Sequence, residues 1–354
     1  QEPLRSTDLR SESVRSAPAR STPVPISYPR TSMPERLGQR RVVDIRTGEG
    51  RMIPSAGDGS TRGSGQHSAV IVLLGSLAAL FFGMGDLLGG VTIRRAGRPG
   101  AAISIALTAT AVSAVLTGVV VLVYPPEAVS AGDVVWSVLA GLLMAATRPL
   151  LYAGMARGPV AVFAPGYGLT MIAVPALIGP FIGQSLGSLA VWGVLLAIPA
   201  VVLLSGEGRL PRPAEVVRSP ILGLAVLVGA SLGSAGLCFS QVGEEAGVLP
   251  AFMALAVGLL VLPVASRIQT GAVWPDRLNR RGGTVVGLTS AVAFMLSTVA
   301  YQMGSAAVVS ALVALCPAVS IALSWQFLGE RVARLQVMGG AFGAAAVVFL
   351  ALGT

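Results

Sequence analysis

Ten times along this chain a run of about 20 apolar residues gives way to a short polar break, and that rhythm limits what the chain can fold into. About 20 helical residues, rising 1.5 Å each, cross a hydrocarbon core of roughly 30 Å. The runs cover 69–92, 101–124, 134–156, 159–181, 188–205, 219–240, 248–265, 284–302, 305–328 and 335–352. A water-soluble domain needs a polar coat for so much apolar chain, and only 12% of the residues are charged. That is about half the usual share. β-Barrel strands are excluded, because their apolar positions alternate. The expected fold is therefore an all-α, multi-pass integral membrane protein with ten transmembrane helices, placed in the cell membrane.

The charge is unevenly spread. Residues 1–67 hold 11 Arg and 7 acidic side chains among Pro, Ser, Thr and Gly, with no sustained apolar periodicity. They read as a disordered tail, without the 7–15-residue apolar core of a signal peptide. Of the formal charge of +9, +4 sits in this tail and +5 is scattered over loops. That pattern follows membrane topology, so the expected partners are the lipid bilayer and a small-molecule substrate, not nucleic acid. The one histidine, His67, lies outside the apolar region, and Cys238 and Cys316 form no CxxC pair. A Ser/His or metal-dependent intramembrane hydrolase lacks its ligands and base. We therefore expect no enzyme, no metal and no cofactor.

The second half of the sequence repeats the first. Residues 82–101 align with 232–251 at an offset of 150. Residues 156–204 align with 302–350 at an offset of 146, with 15 identities in 49 positions, among them Gly158/Gly304, Phe181/Phe327, Gly183/Gly329 and Gly193/Gly339. The domains are accordingly the tail (1–67), a first five-helix repeat (68–206) and a second (219–354). An odd number of spans per repeat forces the second copy to enter the membrane from the opposite side, the arrangement of many alternating-access carriers.

Within 304–352, Pro317, the run Phe327-Leu328-Gly329-Glu330-Arg331, Gln336 and Gly339 resemble the second half of a repeat in the EamA-like branch of the drug/metabolite transporter superfamily. The first repeat keeps Gly158-Pro159, Gly183 and Gly193 but has Gln184-Ser185 where the second has Glu330-Arg331. The resemblance implies ten helices and carriage of small metabolites, often as export. We read Glu330-Arg331 itself as a structural turn.

The expected function is a secondary transporter of small organic metabolites or amphiphilic compounds, working as an exporter. No G-x-x-x-x-G-K-[ST] occurs, so energy would come from gradients. The alternatives are a gradient-independent facilitator or channel, or a membrane scaffold without transport activity. A channel needs a continuous polar pore lining, which these spans scarcely offer.

Ionisable groups inside spans are the first candidates for a site. Asp86 in the first span and Arg148 in the third fall at similar depth, so they are expected to pair or to receive a charged substrate, with protonation of Asp86 as a route to coupling. Tyr152, Tyr167, Tyr301 and Trp325 add polar-tipped aromatics within spans. Pro165, Pro175, Pro199 and Pro317 free backbone carbonyls there. Loops after odd-numbered spans carry Arg94, Arg95, Arg98, Arg209, Arg267, Arg280 and Arg334, whereas even loops carry Glu127, Asp133, Glu244 and Glu245. The positive-inside rule puts the odd loops in the cytoplasm and both termini outside. The family resemblance implies the reverse.

Overall fold

Long apolar runs with dense Gly and Ala can satisfy their backbone polar groups in a membrane only as helices. The computed structural model describes residues 60–97, 100–157, 160–205, 219, 221–273, 277–329 and 332–353, and no strand occurs among them. The helices are α1 (Ser60–Ala96), α2 (Ala101–Val123), α3 (Ala131–Arg157), α4 (Val160–Ile178), α5 (Ser188–Ser205), α6 (Ile221–Phe239), α7 (Leu249–Thr270), α8 (Arg277–Met303), α9 (Ala306–Val313), α10 (Cys316–Leu328) and α11 (Arg334–Gly353). Eight stretches, with Ala306–Phe327 counted as one, are long and apolar enough to cross a membrane. Two shorter apolar ones, Ala131–Ala145 and Ser188–Leu204, bring the total to ten. The protein is a multi-pass integral membrane protein.

Two boundaries differ from expectation. The first helix begins at Ser60 rather than near residue 69, so 60–67 are helical and not part of a disordered tail. A membrane span nucleates its own helix, and adding turns to an existing helix costs little. His67 Nε2, 3.2 Å from the Met303 carbonyl, ties this extension to the end of α8. Residues 1–59, on which the rest of the tail falls, and 206–218, between the repeats, lie outside the described residues.

The ninth span is interrupted at Ala314-Leu315, dividing it into α9 and α10. Pro317 stands in the first turn of α10, where its missing N–H costs nothing. Its ring opposes the carbonyl four residues earlier, at Val313, where α9 stops.

Loop contacts fix the direction of the second copy. The Glu127 N–H, after α2, donates to the Glu245 carbonyl, after α6, at 3.0 Å. The Gly243 N–H donates to Asp133 Oδ1 at 2.9 Å. The end of α2 and the end of α6 therefore share one side, which requires α1 and α6 to run in opposite senses. We call this side the acidic end, and the side holding the 1–2, 7–8 and 10–11 loops the arginine end.

The helices pair in a pattern unchanged by exchanging the copies. α1 packs on α8 as α6 packs on α3, α2 on α8 as α7 on α3, and α1 on α9 and α10 as α6 on α4; α2 meets α7 and α5 meets α11. At the last of these, a methyl group on Gly193 would lie 2.6 Å from Leu350 Cγ, and one on Gly339 would lie 2.8 Å from the Leu204 nitrogen. Leu204 and Leu350 are themselves 146 residues apart, so the contact is reciprocal. Close approach at small residues takes the place of the hydrophobic effect between helices that are both in lipid.

Candidate functional site

Asp86 sits where α1 is thinnest in side chains, between Gly83 and Gly85 on one flank and Gly89 and Gly90 on the other. Nothing lies within 4 Å of a methyl group placed on Gly90. Asp86 itself is exposed. The Cys316 thiol, at the first residue of α10, donates to Asp86 Oδ2 at 3.6 Å. One turn on, Ser320 Oγ donates to the Gly83 carbonyl at 2.8 Å and clamps α10 to α1. Tyr167 of α4 stands close enough for the fields of Asp86 and Cys316 to reach its hydroxyl, and its ring packs 5.6 Å from that of Phe163. Three elements, α1, α4 and α10, thereby converge on one carboxylate.

Arg148 lies in a second, adjacent place. Its guanidinium donates to the Thr110 hydroxyl and lies over the Phe294 ring, 5.1 Å from the centroid. The cleft around it is walled by α2, α3, α7 and α8 through Thr110, Met144, Leu255 and Phe294, with room for about one water molecule. Phe294 in turn meets Phe82 edge-on, with centroids 5.2 Å apart and rings at 89°. Phe82 is one helical turn, about 6 Å, from Asp86.

The expected pairing of Asp86 with Arg148 is not found. Arg148 donates to Thr110 and lies over Phe294, whereas Asp86 takes its hydrogen bond from Cys316. Span position sets depth along the membrane; it leaves open which way around its helix each side chain points. Asp86 faces α4 and α10, while Arg148 faces α2, α7 and α8.

The remaining candidates separate. Tyr301 is buried, 7% exposed, with its hydroxyl 3.1 Å from Ser310 Oγ and its ring stacked on Phe239 at 6.3 Å. That ring fills the space beside Gly236, the position matching Asp86 in the second copy. Its place is a packing role. Trp325, 63% exposed on α10, joins neither cluster. The Tyr152 side chain lies outside the described residues. Sequence reasoning passed over Cys316, Thr110 and Phe294. Of these only Cys316 carried a signal, since it immediately precedes Pro317.

Two oppositely directed sets of helices pack closely against each other, and Asp86 lies on the first of them. The chain carries an EamA-like transporter family domain at residues 219–352, consistent with the drug/metabolite transporter superfamily. A solved protein crystal structure shares the fold, with a TM-score of 0.62 at 18% identity, covering 80% of this chain and 98% of that chain. At that identity the likeness is one of fold alone. Comparison with curated proteins returns no match. The EamA-like family is one of membrane transporters, and its match over residues 219–352 points to the transport of small molecules.

Proposed function

We propose that the protein is a secondary transporter exporting small organic metabolites or amphiphilic compounds, with Asp86 as the group that exchanges a proton for substrate. One observation carries the reading: an exposed carboxylate within a membrane span takes its hydrogen bond from a thiol, and among the described residues no cation pairs with it. An unpaired charge within a span is expensive. It is retained where a ligand or a proton neutralises it for part of a cycle. With Asp86 ionised, the site favours a polar or cationic group of the substrate, and the Tyr167 hydroxyl offers a further hydrogen bond. Protonation of Asp86 removes that attraction and releases the substrate. Arg148, held by Thr110 and Phe294, is the second charged group within the spans on which the reading draws.

The test is transport in proteoliposomes under an imposed pH gradient. Wild type is expected to drive saturable substrate movement against the proton gradient. Asp86→Asn is expected to abolish the response to the gradient while inserting and folding normally, and Arg148→Gln to shift its pH dependence. Wild-type kinetics and pH dependence in both variants would end the proposal. Flux that ignores the gradient would favour a facilitator, and flux at single-channel rates a channel.

A further inference from the structure

A position at which the two repeats differ in chemistry joins them at the acidic end. Gln184, in the turn between α4 and α5, aligns with Glu330 at the offset of 146. Its Oε1 accepts from the Ala306 N–H at 3.0 Å, and its Nε2 donates to Ser240 Oγ at 2.7 Å. Ala306 opens α9 and Ser240 follows α6, so one side chain of the first copy grips two elements of the second.

The chemistry at this place calls for an amide. Ser240 already spends its hydroxyl hydrogen on the Leu237 carbonyl at 2.8 Å, so toward Gln184 it presents only lone pairs and needs a donor. The Ala306 N–H is a helix-start donor without an intrahelical partner and needs an acceptor. Gln supplies one of each. The carboxylate of a Glu, as at position 330, would set acceptor against acceptor at Ser240.

α9 is 8 residues long, about 12 Å, and runs from this grip to the break before Cys316, the residue that donates to Asp86. We propose that Gln184 is a positioning residue: a clasp that keeps the acidic end shut while the Asp86 site is open, and whose release lets α9 move and closes that site. Asp86 is 7 residues from the arginine-end limit of its span at Ile93 and 20 from the other limit at Gln66, so its shorter way out is the end opposite the clasp. The proposal rests on the carrier reading above but is tested without a substrate.

The two native cysteines report on the two ends. Cys238 is buried, 5% exposed, beside the Leu237–Ser240 bond, and Cys316, half-buried, donates to the exposed Asp86. The full chain in proteoliposomes would be treated with a small maleimide and each cysteine quantified by peptide mass spectrometry, normalised to detergent-unfolded protein at the same pH. In wild type, Cys316 is expected to react and Cys238 to be protected. Gln184→Ala should raise Cys238 labelling about tenfold and lower that of Cys316, the response to losing two hydrogen bonds at a buried junction. Gln184→Glu should do the same at pH 8 and revert toward wild type at low pH, because a protonated carboxyl regains a donor for Ser240. Cys238 protection equal to wild type in both variants would overturn the clasp, as would a rise in both that acid does not reverse in Gln184→Glu. If the labelling shifts as expected but no solute moves, the clasp stands and the carrier reading falls.

Discussion

The contact of α6 with α4 allows a close test of how the bundle is held. A methyl group on Gly229 would press on the Tyr167 carbonyl oxygen and lie 2.7 Å from Thr170 Cβ and 3.0 Å from the Tyr167 carbonyl carbon. Ordinary contact begins near 3.4 Å, so α4 would have to retreat by more than about 0.7 Å, the carbonyl oxygen of Tyr167 being the closest atom. The obstacle is backbone, and no change of rotamer relieves it. Overpacking of this kind costs about 1–3 kcal/mol, and a backbone clash belongs at the upper end. Gly223 stands on the same helix with nothing within 4 Å, so Gly223→Ala gains the same helix propensity, about 1 kcal/mol, and meets no clash. The difference between Gly229→Ala and Gly223→Ala therefore isolates packing, and we expect about 3 kcal/mol. Denaturant titration of both variants in the same micelles, followed by circular dichroism, reads that difference directly. Because the proposed site includes Tyr167, Gly229→Ala should also depress transport while Gly223→Ala leaves it intact. Unfolding midpoints that coincide for the two variants would refute the close approach of α4 and α6.

At the acidic end, hydrogen bonds from the Gly243 N–H and then the Ser130 N–H and hydroxyl hold the Asp133 carboxyl below the usual carboxylate range. A depressed pKa adds stability that is complete above the unfolded value, near 3.8, and lost as pH falls through the lower folded value. Melting temperature should therefore be insensitive to this group from pH 8 to 5 and fall below about pH 4, with the acid-linked step missing in Asp133→Asn; a wild-type profile in that variant would refute the assignment. Thr110, 1% exposed, accepts from Arg148, so Thr110→Val should cost about 1–2 kcal/mol in the same titration and Thr110→Ser should restore most of it. Equal stability of the Val and Ser variants would count against that bond. Gly329 ends α10 at φ 68°, a left-handed conformation that a side chain resists, so Gly329→Ala should cost about 1 kcal/mol, whereas Gly340→Ala, with nothing within 4 Å, should not destabilise.

Membrane insertion, the number of spans and the inversion of the second copy could all be read from the chain before any coordinates. Each is local or arithmetic: a run of about 20 apolar residues sets a span whatever its neighbours, and five spans per copy set the inversion. The matched Gly193 and Gly339 could also be read, because a close helix contact needs a small residue on each side of the pseudo-twofold axis. Asp86 and Arg148 stood out for a similar reason, since a charge inside a span is rare anywhere in the chain.

Which groups these residues meet was not readable in the same way. A side chain's direction around its helix depends on how that helix is rotated against several others, and the rotation is fixed only when all the small-residue contacts close together. Tertiary structure turned Asp86 toward Cys316 and Tyr167, laid Arg148 over Phe294, and buried Tyr301 against Gly236. It also gave Gln184 its meaning. In the sequence that residue is a departure from the Glu-Arg pattern of the other copy. Folded, it faces a donor and an acceptor 122 and 56 residues away, and its amide satisfies both where an ionised carboxylate would not.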